Sequence, residues 1–165
     1  MLITIILAVI MMAGLFLLLW SGIALIQDKR YFTSAPKEIQ DAVQPRPERF
    51  PHAHALGFFL VGCAFVLMIS PVVIGCIEGI ACGYDFWQFF IRFLIMLIGL
   101  KLYDILFFDL FLLCHSGFFP HYYPEVKGIV DPHLFGYNWK THLIHIIVFI
   151  ALSAGLALFC GLFVT

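Results

Sequence analysis

Charge is what this chain lacks. Only 12% of its 165 residues are Asp, Glu, Lys or Arg, 63% are hydrophobic, and the formal net charge is −1. A soluble domain is about half apolar and about a quarter charged, so a water-soluble fold is excluded: it would have to expose the apolar surplus. The near-zero net charge also removes a general attraction to nucleic acid. No stretch alternates polar and apolar residues in runs of about ten, as a membrane β-barrel requires. No basic residue precedes the first apolar run and no small-x-small site follows it, so that run reads as a retained helix rather than a cleaved signal. The sequence has no C-x-x-C and no H-E-x-x-H.

What is present is four apolar stretches. A helix needs roughly 20 apolar residues to cross about 30 Å of hydrocarbon, and the candidates run over about 2–27, 55–77, 86–114 and 139–164. Backbone groups in lipid must be satisfied within the segment, which selects helices. The expected fold class is an all-α membrane protein. It is one domain over residues 1–165, a four-transmembrane-helix bundle with longer connections at about 28–54 and 115–138.

Lys29, Arg30, Lys37, Arg46 and Arg49 lie in the first connection, and Lys127 and Lys140 in or beside the third; the short link from Glu78 to Asp85 has no Lys or Arg. Basic residues stay inside, so these two connections are expected in the cytoplasm and both termini outside. Trp20, Trp87 and Trp139 fall near the expected interfaces. Within the first connection Ser34 suits an N-cap, Pro36 a first turn, and KEIQDAVQ a short helix. That helix is expected on the headgroups, with docking of a partner as the alternative.

With this topology all 7 histidines (His52, His54, His115, His121, His133, His142 and His145) fall at the cytoplasmic end. The third span carries Lys101, Asp104 and Asp109. At about 100° per residue, Asp104 falls about 60° to one side of Lys101 and Asp109 about 80° to the other. The three mark one polar face, and His115 falls near Asp104. Arg92 points the opposite way and is expected to snorkel. Ionisable groups at such depth cost at least about 2.5–3.5 kcal/mol each, so this face should turn into the bundle.

Lys101 and Asp104, three apart, can cancel on one turn, a purely structural role. Asp109 needs a partner on another helix. His142 and His145 share a face, Asn138 lies one turn earlier, and His54 is at similar depth; His145 is the partner expected first. A carboxylate with two or three imidazoles suits a divalent metal such as zinc or iron, and equally suits proton transfer. The plain alternative is that these histidines bond headgroups, water or backbone. Their spacing does not reproduce the histidine boxes of membrane desaturases, and nothing else asks for haem.

The stretch HSGFFPHYYPEV cannot stay regular helix past Pro120. It is expected to fold back at the headgroups, with Tyr122 and Tyr123 at the interface and His121 and Glu125 within reach of the cluster. Cys76 and Cys82 flank the outer link and are candidates for a disulfide. Cys63 and Cys160 read as packing residues, and Cys114 beside His115 is a weak nucleophile candidate.

The segments APKEIQDAV, RFPHAHALG, DFWQFFIRFLIMLIGLKLYDILFFDLFLLCHSGFFPHYYPEVKG and HLFGYNWKTHLIHI together resemble an uncharacterised group of small bacterial four-helix membrane proteins. The resemblance implies a multi-pass protein of the bacterial cytoplasmic membrane and carries over no functional residue. The residues themselves lead to a membrane enzyme or metal-binding protein acting on an amphiphilic or lipid-like substrate. Its candidate catalytic set is Asp109, His145, His142, Lys101 and Asp104, and its candidate metal set is His54, His142, His145 and Asp109. Membrane lipids and a homodimer or larger membrane complex are the expected partners. The competing class is a small proton or ion transporter, or a non-catalytic subunit of a complex.

Overall fold

The computed structural model describes residues 1–28, 35–44, 46–129 and 135–164. Among them every regular element is a helix. Helix α1, Leu2–Ser21, runs on into π-helical turns over Gly22–Ile26. It stops at Gln27, whose left-handed φ of 54° ends the helix while its N–H reaches the Gly22 carbonyl at 2.8 Å. A short α2, Lys37–Ala42, precedes α3, Ala53–Ala81, which carries Pro71 inside it. Helix α4, Phe86–Tyr103, starts on a capping box: Asp85 accepts the Gln88 N–H at 2.8 Å, and the Gln88 side chain accepts the Asp85 N–H at 2.9 Å. It continues without a break as a π-helix over Asp104–Leu113. Short α5, Phe118–Tyr122, and long α6, Trp139–Gly161, complete the chain.

Three helical stretches, Leu2–Ile26, Ala53–Ala81 and Trp139–Gly161, are long and apolar enough to cross a membrane. In the apolar windows of α3 and α6 only 17% of residues are buried, and rings and branched chains such as Phe59 and Ile147 stand outward. So much outward apolar surface fits lipid, not water. The fourth long stretch, Phe86–Leu113, holds Arg92, Lys101, Asp104 and Asp109, and packs inward: α1 and α6 both lie against α4.

Two apolar cores hold the helices together. Toward the chain termini, Leu7 and Met11 of α1 meet Phe89, Phe93, Met96 and Leu97 of α4 and Ala157 of α6. Gly79 lets α3 close on this core, because Phe89 fills the space a Cβ would need there. At the loop end, Ile23 packs with Ile39 and Val43, with Phe108 and Leu112, and with Tyr123 and Val126. Thus α2 docks on the third connection of its own chain, driven by burial of Ile39 and Val43. Tyr123 is the centre of that contact. It is fully buried and donates its hydroxyl to the Ile23 carbonyl at 3.3 Å, and burial pushes its phenol pKa well above the ordinary range.

Several expectations are corrected. The cysteine bridge joins Cys76 to Cys160, not Cys82, and ties α3 to α6, which otherwise touch little; Cys82 is free and exposed. Cys76 and Cys160 come together because each lies near the C-terminal end of its helix and α3 and α6 run parallel, a proximity sequence spacing does not carry. Arg92 does not snorkel. It is 3% exposed, donates to the Gly75 carbonyl and the Tyr84 hydroxyl at 2.7 Å each, and pairs with Glu78. A guanidinium inside the bundle needs this many acceptors, and its Nε is still left without one. Ser34 lies outside the described residues; Pro36 occupies the cap position of α2, with no side-chain cap. The long third helix ends at Leu113, and Pro120 sits within the separate first turns of α5, where its missing N–H costs nothing.

Candidate functional site

The π-helix sets the site. Asp104 and Asp109 are five residues apart, and in an α-helix they would diverge by about 140°. An i→i+5 ladder instead brings residues five apart onto one face. The polar face expected on either side of Lys101 is therefore folded into one group. Lys101, on the last α-turn, places its Nζ 2.6 Å from Asp104 Oδ2. Asp109 Oδ2 lies 2.8 Å from Nε2 of His142 on α6. One ligand atom from each of Asp104, Asp109 and His142 lies within 4.8 Å of the others. Among the described residues no other group of three or more His, Cys, Asp or Glu side chains is placed to hold a metal ion.

Burial is graded across the group. The side chains of His142 and Lys101 are 5% and 6% exposed, Asp109 13%, and Asp104 30%. The group thus opens toward Asp104. His142 Nδ1 is buried and has no hydrogen-bond partner. Tyr137, in the turn before α6, lies near the same carboxylates. Its ring is partly exposed, but withdrawal of the phenol from water, reinforced by Asp109 and Asp104, raises its pKa well above the ordinary range. Sequence reasoning missed Tyr137. The signal was its place in GYNW, five residues before His142.

The partner of Asp109 is His142, not the expected His145. Helix α6 buries His142, Ser153, Ala157 and Cys160, which fall within about 60° of one another at 100° per residue. His145 falls about 60° off that stripe on the other side. It is exposed, with its ring against Phe149. His54 does not join the group either: its Nδ1 faces Glu48 at 3.4 Å. Asn138 caps α6 through its carbonyl, which accepts the His142 N–H at 3.1 Å.

The remaining histidines share an end of the molecule but not a site. Glu48 accepts the His52 N–H at 3.1 Å. His115 is exposed, has its Nδ1 2.7 Å from the Leu110 carbonyl and does not join the group with Asp104. His121 lines a separate cavity, and Glu125 is held by Arg46, so neither reaches the group. His133 lies outside the described residues.

No protein-family model, curated protein or solved structure matches this chain. The class is the one its own structure defines, a helical protein with three membrane-length apolar helices and a partly buried Lys–Asp–Asp–His group. Chemically, two carboxylates and an imidazole can hold or pass a proton, and the same donors suit a borderline divalent ion.

Proposed function

We propose that the chain is a four-span protein of the bacterial cytoplasmic membrane that uses Asp109 and His142 as an acid/base pair on an amphiphilic or lipid-like substrate at the inner boundary. The observation that carries this reading is the buried 2.8 Å contact between Asp109 Oδ2 and His142 Nε2, made across two helices. Lys101 and Asp104 cancel each other. One proton shared by Asp109 and His142 then leaves the group of four neutral, whichever partner holds it. Neutrality minimises the desolvation cost, and a proton can cross the pair with no change in net charge.

Phe86–Leu113 is the fourth span in this reading, its charges turned into the bundle. The orientation draws on two opposed features. Lys37, Arg46, Arg49, Lys127 and Lys140 belong to one end, and the Cys76–Cys160 disulfide to the other. Basic loops stay in the cytoplasm and disulfides persist outside it. A through-path for ions is disfavoured. Arg92 lies about 13 Å along the helix from Lys101, and Phe93, Met96, Leu97 and Leu100 fill the interval with buried apolar side chains.

The clustering of Asp104, Asp109 and His142 supports a second reading, a divalent metal. A cation there would share Asp104 with the Lys101 ammonium, and the two positive charges would compete for it. Elemental analysis of wild type and Lys101→Met separates the two readings: stoichiometric zinc or iron, increased by the substitution, favours the metal. For the acid/base reading, 15N-histidine spectra should show one imidazole whose tautomer changes in Asp109→Asn, and host cells expressing wild type should differ from those expressing His142→Ala in lipid or metabolite profile. An unchanged imidazole spectrum and identical profiles would refute it.

A further inference from the structure

At the loop end, apart from the Asp109–His142 pair, an open cavity of about 330 Å³ is lined by Gln27, Arg46, Glu48, Arg49, His121 and Tyr122, with prolines 47 and 124 as walls. We propose that it is a binding site for a phosphoethanolamine group, the zwitterionic headgroup of a membrane phospholipid.

The place is right for a headgroup. Gln27 ends the membrane-length stretch Leu2–Ile26, so the cavity opens where that helix leaves the apolar layer. Its size falls at the lower end of the range for small-ligand sites, roughly 300–1,000 Å³.

The charges are arranged in two parts. Arg46 is held in place: Glu125 pairs with it, its Nη1 donates to the Tyr122 carbonyl at 3.2 Å, and it lies 5.4 Å from the Tyr123 ring centre. Arg49 is different. It lies 5.0 Å from the Tyr122 ring centre and has no carboxylate partner among the described residues. The aromatic face fixes the guanidinium without neutralising it, which leaves its N–H fork for a phosphate. His121 and the Gln27 amide line the same cavity and add donors. Glu48 lines the cavity as well; it accepts the His52 N–H and lies 3.4 Å from His54 Nδ1, and at 41% exposed its carboxylate still has lone pairs to offer a cation.

An anion alone would meet the Glu48 carboxylate as a repulsive neighbour. A phosphodiester on Arg49, His121 and Gln27 with a primary ammonium on Glu48 satisfies both signs. A trimethylammonium group has no N–H to give Glu48, and a glycerol headgroup has no cation, so the site discriminates among phospholipids by hydrogen bonding.

The test uses the full chain purified in detergent, with retained lipid counted by native mass spectrometry against equimolar phosphatidylethanolamine, phosphatidylcholine and phosphatidylglycerol. Wild type should retain phosphatidylethanolamine about ten-fold over the other two, a difference equivalent to about 1.4 kcal/mol. Glu48→Gln should abolish the preference over phosphatidylcholine and Glu48→Asp should keep it. Arg49→Gln should lower retention of all three lipids. Displacement by free phosphoethanolamine would assign the site to the headgroup chemistry alone, whereas retention against it would assign the site to the intact lipid. Equal retention of the three lipids by wild type, or an unchanged ratio in Glu48→Gln, would overturn the proposal.

Discussion

Removing Asp109 tests both the site and the partner the structure selects for it. The carboxylate is 13% exposed and its partner imidazole 5%. His142 already has a buried Nδ1 with no hydrogen-bond partner. Asp109→Ala would leave Nε2 unpaired as well. An unsatisfied buried polar group costs about 1–3 kcal/mol, and breaking a buried charge pair costs about 3–5 kcal/mol. Because His142 can remain neutral, the lower part of that span applies, about 2–3 kcal/mol. Asp109→Asn keeps an acceptor and should lose about half as much. A double-mutant cycle of Asp109→Ala with His142→Ala should return a coupling energy of about 1.5–3 kcal/mol, as expected for directly bonded residues. The same cycle with His145→Ala should return under about 0.5 kcal/mol, since His145 is outside the group and exposed. Both cycles are measured by mixed-micelle denaturation followed by circular dichroism. A His142 cycle near zero, or a His145 cycle as large as the His142 one, would refute the assignment.

Two further outcomes follow from named contacts. The Cys76–Cys160 bridge spans 84 residues of sequence, for which loop-closure entropy alone gives about 4.5 kcal/mol, against a typical stabilisation of about 2–4 kcal/mol per bridge; Cys160→Ser should lower stability and shift mobility on a non-reducing gel, while Cys82→Ser should change neither. Tyr123 is buried and its phenol pKa raised. The folded state therefore holds this proton more tightly than the unfolded one, so its stabilising contribution is complete below the ordinary phenol pKa of about 10 and declines as pH rises beyond it. Alkaline unfolding profiles should be flatter for Tyr123→Phe, which would also lose the bond to the Ile23 carbonyl.

Apolar composition, the scarcity of charge and long hydrophobic stretches determined by themselves that this chain is helical, with stretches long and apolar enough to cross a membrane, because backbone polar groups in an apolar solvent leave few alternatives. They also marked Lys101, Asp104 and Asp109 as charges that must face inward, and the Lys101–Asp104 contact was legible as a three-residue spacing. Three things were decided only by the tertiary structure. The winding of Asp104–Leu113 gathers two aspartates that an α-helix would separate, and sequence periodicity presupposes the winding it is used to find. The choice of His142 over His145 depends on which stripe of α6 packs on α4, and two histidines three residues apart differ in phase by only about 60°. The bridge from Cys76 to Cys160 and the burial of Arg92 against Gly75, Glu78 and Tyr84 depend on which helix ends meet. Hydrophobicity selects the solvent for a helix, but only packing against its neighbours sets its rotation, and rotation is what brings reactive side chains together.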